Sequence, residues 1–227
     1  MDYLNNLFFG YFPYIAGTVF LFGSLVRFDM SQYTWKTNSS QLLDNSATFR
    51  ISNNLFHIGM IFLFFGHFFG LLMPHSWYPY LGLTAGSKQI MAMVSGGAFG
   101  LLALVGGSYL LYRRLYHPRV RAQSTRMDIF ILALLYVQLI LGLATIGVSK
   151  DHLDGAVMIQ LSNWAQAIVT FSPAAAYMAD AHWIYKAHVF LGLVVFFVFP
   201  FTRLVHIWSA PLAYITRQYQ IVRQRQA

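Results

Sequence analysis

Four of the eight histidines in this 227-residue chain lie inside strongly apolar segments, where an ionisable side chain is expensive to bury. His57 and His67 share one such segment, and His188 and His206 share a later one. Imidazole binds metal ions and can also relay protons. These four residues therefore predict a functional site. The remaining histidines stand near segment ends or in loops, as is typical of a boundary with water: His75, His117, His152 and His182.

The composition predicts that the surrounding elements lie in a membrane. Apolar residues make up 57% of the chain, and charged residues only 10%, against about 25% charged in a soluble domain. This excludes a soluble fold, a disordered chain and a disulfide-rich scaffold. The chain has no Cys, which excludes thiolate iron–sulfur or zinc sites and covalent haem attachment within it.

Five apolar runs reach the length of about 20 residues that a transmembrane helix needs. The runs are continuous rather than alternating, which favours helices over barrel strands. The first run lacks a basic flank and a small-residue cleavage site, so we expect a retained helix rather than a signal peptide. We predict an all-α membrane protein with a single domain over residues 1–227. The predicted spans cover about residues 4–26, 54–73, 89–112, 128–148 and 183–208.

The basic residues predict the orientation of the five spans. Twelve Arg and Lys residues fall on one side, and only Lys88, Lys150 and Lys186 fall on the other. Because basic loops stay in the cytoplasm, the N-terminus is expected outside and the tail 209–227 inside. The net charge of +8 is then explained by topology rather than by nucleic-acid binding. The basic tail fits either contact with lipid headgroups or docking to a cytoplasmic partner.

The four buried histidines form two pairs in this topology. The second and fifth spans are antiparallel, so His57 and His206 share the inner depth, while His67 and His188 share the outer depth. In continuous helices the separations along the two spans would be roughly 15 Å and 27 Å. Helix tilt, a tilted haem and a bend at Pro200 can absorb the difference. Two imidazoles at one depth on facing helices suit the two axial positions of a haem iron.

Two neighbouring residues have competing interpretations. Gly66 beside His67 can give a flat macrocycle access to the backbone, or it can serve helix packing. Arg203 lies on the same helical face as His206, where it can pair with a haem propionate or extend toward the lipid headgroups.

Around these histidines the sequence resembles the gamma subunit of respiratory nitrate reductase, a membrane cytochrome b. The resemblance covers essentially the whole chain. Its most specific blocks, in order, are P-Y-I-A-G (13–17), Q-Y-T-W (32–35), N-L-F-H-I-G (54–59), G-H-F-F-G (66–70), P-R-V-R-A (118–122) and R-L-V-H-I-W-S (203–209).

The resemblance implies two haem b groups, with His57 and His206 binding the inner one and His67 and His188 the outer one. It also implies quinol oxidation near the outer haem, with either menaquinol or ubiquinol as substrate. Lys88 matches a lysine associated with quinol binding in that family. Taken alone, Lys88 is also consistent with an anchor at the membrane interface.

The implied function is electron transfer across a bacterial inner membrane. Quinol gives up electrons near the outer face and releases protons there, and the electrons pass inward through both haems. They then reach an iron–sulfur beta subunit and a molybdenum-cofactor alpha subunit that reduces nitrate. The resemblance associates this activity with anaerobic respiration and nitrate assimilation.

Three other functions remain open at the level of sequence. The chain could be the cytochrome b subunit of another quinone-linked oxidoreductase. It could be a transporter or channel with a histidine-lined proton path. Finally, it could be a haem-free membrane anchor.

Overall fold

The computed structural model describes residues 2–35, 43–44, 46–151 and 153–209, and the regular secondary structure in these ranges is helical. Five helices are long and apolar enough to cross a membrane, which confirms the predicted all-helical class and the number of spans. A shorter helix precedes the last of them. In chain order the helices are α1 (Tyr3–Met30), α2 (Ala47–Leu72), α3 (Ala85–Tyr116), α4 (Arg126–Ser149), α5 (Ala156–Val169) and α6 (Trp183–Val198).

Polar N-terminal caps extend several helices beyond the apolar segments that the sequence predicts. The Ser46 side chain accepts a hydrogen bond from the backbone of Phe49 at the start of α2. Reciprocal capping boxes begin α3 at Thr84 and α4 at Thr125. Because such caps satisfy the free N–H groups of the first turn, these helices begin in polar sequence, two to seven residues before the predicted spans.

The fifth span differs from its prediction as a helix reaching residue 208. The α-helix ends at Val198 and continues as a 3₁₀ turn, Phe199–Phe201. Thr202 is extended, and a separate 3₁₀ helix, Arg203–Ser209, follows it. Pro200 lacks the N–H of a helix interior and its ring clashes with the preceding turn, so the chain breaks here rather than bending. His206 therefore lies on a different element from His188.

The helices pack in the order α2, α3, α4, α6 and α1. The α2–α3 contact is the closest, because a Cβ on Gly59 would lie 2.6 Å from the carbonyl oxygen of Phe99 and 2.7 Å from Ala103. At the other end of this contact Gly106 meets the backbone of Phe56. Since α2 packs mainly on α3 and α5, while α6 packs mainly on α1 and α4, the two histidine-bearing helices face each other without tight packing.

The bundle has two distinct ends, which we call the N-terminal end and the basic end. Helix α1 starts at the N-terminal end, where α5 also lies. There the Gln166 side chain donates to the carbonyls of Leu71 and Met73, and the Trp164 indole donates to the carbonyl of Phe9. The opposite, basic end holds the start of α4 and the 203–209 segment. Between the ends, only 11–22% of each span is buried, so the exposed apolar surface requires lipid.

Candidate functional site: two histidine pairs and a buried lysine

The structure brings His67 of α2 and His188 of α6 together across the space between the helices. Their ring centroids are 5.9 Å apart, and the ring planes are inclined at 42°. A metal–imidazole nitrogen bond is about 2 Å long, so two imidazoles on opposite sides of one metal have centroids roughly 6 Å apart. The spacing of this pair is therefore compatible with both imidazoles binding a single iron.

The second pair joins α2 to the segment that follows the break in the fifth span. His57 lies near the basic end of α2, and His206 lies on the 3₁₀ helix Arg203–Ser209. The charges of the two side chains influence each other, but the described contacts do not include a ring contact between them. Their pairing stays a prediction, and the helix that was expected to carry both His188 and His206 is interrupted.

Three of the four histidines are oriented by the same kind of hydrogen bond. Nδ1 of His57 lies 2.8 Å from the carbonyl oxygen of Asn53, and Nδ1 of His67 lies 2.7 Å from that of Leu63. Nδ1 of His206 lies 2.6 Å from the carbonyl oxygen of Arg203. When Nδ1–H donates to a carbonyl, the lone pair is left on Nε2, which is how ligating histidines are commonly held. These contacts leave Nε2 of all three side chains available to bind a metal.

His188 is held differently, by helix α4. A Cβ on Gly142 would lie only 2.9 Å from Cε1 of His188, so the absence of a side chain makes room for the imidazole. Gln138, one turn earlier, donates to the carbonyl of His188 at 3.0 Å. Nδ1 of His188 is buried and has no hydrogen-bond partner among the described residues. Neither Gly142 nor Gln138 is predicted from the sequence as a site residue, because neither lies on a histidine-bearing span.

The space beside His67 is open. A Cβ built on Gly66 or on Gly70 would meet no atom within 4 Å, so in this structure Gly66 is not a helix-packing contact. The described residues contain no group of three or more metal-ligating side chains. A haem needs only two protein ligands, because the macrocycle supplies the other four. The paired rings, the free Nε2 atoms and the open space together fit haem.

Charged side chains surround the basic end near His206. Asp128 lies 3.7 Å from Arg203 and 3.9 Å from Arg114. Arg203, the candidate propionate partner, is thus already beside a carboxylate. Arg27 of α1 donates to the carbonyl oxygens of Pro200 and Thr202 at 2.6 and 2.7 Å. These two hydrogen bonds attach the interrupted segment of the fifth span to α1.

Lys88 lies at the N-terminal end and is only 2% exposed. Its ammonium donates to the hydroxyl of Tyr78 and lies 4.3 Å from the centroid of that ring. A simple interfacial anchor would keep its charge in water, whereas this amine is covered by protein. The sequence pattern predicts no role for Tyr78, and it predicts only an interfacial position for His75, whose ring centroid lies 5.2 Å from that of Tyr78.

The other predicted positions have no contact with these pairs in the described structure. His182 caps the start of α6 by accepting from the backbone of Ile184, and His117 precedes the short helix Pro118–Ala122 at the basic end. His152 and residues 210–227 of the basic tail lie outside the described residues.

Comparison with known proteins gives matches over nearly the full length of the chain. A family model described as nitrate reductase gamma subunit matches residues 5–225. The respiratory nitrate reductase 1 gamma chain of Escherichia coli K12 is 51% identical over 226 residues, which cover 99% of this chain and 100% of that protein. The nitrate reductase gamma chain of Bacillus subtilis is 35% identical over 221 residues, covering 97% of this chain and 99% of that protein.

Proposed function

The chain belongs to the nitrate reductase gamma subunit family, and we propose that it oxidises quinol and carries the electrons across the membrane through two b-type haems. Family membership makes it a membrane-bound subunit of a respiratory nitrate reductase, an oxidoreductase complex. It also implies alpha and beta partner subunits. The observation that best supports the proposed electron path is the His67–His188 pair, whose 5.9 Å spacing suits one iron.

In this proposal each histidine pair would hold one haem, which would supply one-electron transfer when bound. His67 and His188 would hold the outer iron, and His57 and His206 would hold the inner one. The Nδ1 contacts keep Nε2 of three of these rings available, and Gly142 with Gln138 positions the fourth. Arg203 lies close enough to His206 in sequence to pair with a propionate, and Asp128 limits where its guanidinium can lie.

Quinol oxidation is assigned to the N-terminal end, where Lys88 lies. By the basic-residue distribution this end faces outside and the basic end faces the cytoplasm. Protons released at the N-terminal end leave on the outer side, while electrons move inward. Each electron crossing the full membrane does about 2.3 kcal/mol of work per 100 mV of membrane potential. The cycle therefore stores part of the free energy of quinol oxidation as a membrane potential.

The partners follow from what this chain lacks and from its family. With no Cys in the sequence, the chain has no ligands for thiolate iron–sulfur centres, so the next carriers belong to other subunits. We assign them to an iron–sulfur beta subunit and a molybdenum-cofactor alpha subunit at the basic end, where nitrate is reduced. The relatives are named as respiratory enzymes, which supports nitrate respiration rather than assimilation.

A haem count on the purified chain and on His67→Ala tests this function. Wild type should show a b-type reduced-minus-oxidised spectrum with about two haems per chain by pyridine haemochrome. His67→Ala should lose the outer haem and quinol oxidation and keep the inner haem, because His57 and His206 are untouched. His182→Ala, a histidine outside both pairs, is the control and should keep both haems.

Two results would contradict the proposal. Absence of haem in a folded, haem-supplied preparation would favour a haem-free anchor or a proton path. Loss of both haems, or of none, in His67→Ala would contradict the pairing. To separate nitrate reductase from another quinone-linked complex, quinol-dependent nitrate reduction should be measured after the alpha and beta subunits are added.

A further inference from the structure

A buried chain of polar groups runs from Lys88 to His75 at the N-terminal end. The Lys88 ammonium donates to the Tyr78 hydroxyl, and the Ser162 side chain is near enough to this hydroxyl to lower its pKa against the larger, opposite effect of burial. Oγ of Ser162 is 2.8 Å from Nε2 of His75. Lys88, Tyr78 and Ser162 are 2%, 6% and 0% exposed, whereas His75 is half-buried. These four polar groups thus connect a fully enclosed amine to an imidazole at the protein surface.

The fold assembles this chain from three separate elements. Lys88 is in the first turn of α3, Tyr78 and His75 are in the connection after α2, and Ser162 is in α5. The start of α5 contacts the start of α3 closely at Gly155. This residue has φ of +85°, and a Cβ on it would collide with the backbone of Ala85. Glycine is required there for both reasons, and the contact keeps Ser162 and Lys88 in register.

The polar chain lies outward of the proposed outer haem site. Helices α2 and α3 are antiparallel, with Gly59 opposite Ala103 and Gly106 opposite Phe56. Continuing this register places Lys88 level with the end of α2, about seven residues or roughly 10 Å beyond His67 along the helix axis. A path leading outward from Lys88 therefore leads away from the electron carriers.

We propose that Lys88, Tyr78, Ser162 and His75 form a proton path that delivers the protons of quinol oxidation to water at the outer surface, with His75 as its terminal group. Oxidation of one quinol to quinone breaks two O–H bonds. The electron acceptor would be the haem that His67 and His188 are proposed to hold, which would take the two electrons one at a time, and the two protons would leave through these four side chains. This inference rests on the proposed function, which supplies both the quinol and the electron acceptor.

The protonation states of these side chains suit proton transfer from Lys88 toward His75. Ser162 has one hydroxyl proton and two acceptors in reach, Nε2 of His75 at 2.8 Å and the carbonyl oxygen of Ile159 at 3.1 Å. It can therefore give its proton to Nε2 of His75, take a replacement from the Tyr78 hydroxyl and turn back to its starting orientation. Partial burial and the charge of Lys88 lower the pKa of His75 below 6.5, so at neutral pH the imidazole is a free base. Burial raises the pKa of Tyr78, which keeps its hydroxyl protonated and able to donate.

Quinol turnover and proton release should be measured together in the complete complex reconstituted into vesicles, with a pH-sensitive dye outside and weak external buffer. His75→Ala and Ser162→Ala should each slow both rates at least roughly tenfold. Imidazole added outside should restore His75→Ala, because a diffusible base can replace a group at the surface. It should not restore Ser162→Ala, in which the interruption is buried. His182→Ala, a surface histidine at the same end, is the control and should match wild type.

Two further measurements distinguish a proton path from a structural role. The dissociation constant of a quinone-analogue inhibitor should be the same in wild type and His75→Ala, because in this proposal His75 receives protons through Ser162 and does not contact the quinol. The wild-type rate should fall only in acid, at a pH below the ordinary pKa of histidine because the pKa of His75 is lowered, since a protonated His75 cannot accept, and this dependence should disappear in His75→Ala.

The outcomes also separate this inference from the proposed function. A His75→Ala complex with wild-type rates in weak buffer, or with slow rates that imidazole does not restore, would overturn the proton path. If quinol fails to reduce the haems of the wild-type complex, the proposed function itself is wrong, whatever the two variants do.

Discussion

Single atoms around the imidazoles decide which ring nitrogen can bind a metal. In His57, His67 and His206 a backbone carbonyl three or four residues earlier occupies Nδ1. This contact is local, so it can form wherever a histidine lies in such a helical turn. His188 has no such carbonyl contact in the described residues and depends on α4 instead, where Gly142 leaves room for the ring. Its position is therefore sensitive to changes on a neighbouring helix.

Gly142→Ala should weaken the outer haem site selectively. The new methyl group would lie 2.9 Å from Cε1 of His188, closer than carbon atoms normally approach, so the ring must move. Changes that reorient a metal ligand typically cost roughly 10- to 100-fold in affinity. Haem content should drop toward one per chain in the reduced-minus-oxidised spectrum. Gly147→Ala on the same helix, where a Cβ would meet nothing within 4 Å, should keep both haems.

At the scale of elements, the break in the fifth span determines where the inner pair lies. Pro200 is accommodated because Gly23 of α1 has no side chain there, a Cβ on Gly23 being 2.9 Å from the proline ring. The side chain of Thr202 then accepts from the backbone of Leu204 and starts the next helical segment. Arg27 binds the carbonyls of Pro200 and Thr202, and the buried Val205 packs into the core. These contacts hold His206 in place.

Arg27→Gln should therefore reduce occupancy of the inner haem and spare the outer one. Hydrogen bonds from a charged donor contribute roughly 1.5–3 kcal/mol each, and glutamine is shorter and uncharged. A redox titration followed in the haem absorption bands should show the inner component reduced in amplitude or shifted in potential. Arg50→Gln alters an exposed arginine at the same end and should leave both components unchanged. Equal loss of both haems in Arg27→Gln would indicate general destabilisation instead.

At the scale of the whole molecule, the two ends of the bundle differ in charge and in polar contacts. The basic end contains Arg113 paired with Asp44 at 2.7 Å, and Asp128 between Arg114 and Arg203. The N-terminal end is closed by α5 and contains the chain from Lys88 to His75. This asymmetry matches the proposal that electrons leave at one end and protons at the other.

The orientation can be measured directly because the natural chain has no Cys. Gln123→Cys places an exposed thiol at the basic end, and Ser172→Cys places one at the N-terminal end. In intact cells a membrane-impermeant maleimide should label Ser172→Cys, and Gln123→Cys should become reactive only after the membrane is opened. The opposite labelling pattern would reverse the assignment of outside and cytoplasm and with it the direction of electron transfer.

The sequence by itself determined the helical membrane class and the number of spans, which follow from hydropathy over about 20 neighbouring residues. It also predicted the pairing of His67 with His188 from their equal depth on two antiparallel spans, and the structure places these two rings side by side. The sequence also singled out Lys88 and Arg203, without indicating what either one contacts.

Only the tertiary structure decided how distant segments complete the site. Whether Pro200 bends or breaks a helix depends on the space that Gly23 leaves and on the carbonyl contacts of Arg27. The support of His188 by Gly142 and the link from Lys88 through Tyr78 to Ser162 likewise join residues on different helices or loops. Such contacts depend on helix register and rotation, which are fixed by packing rather than by local composition.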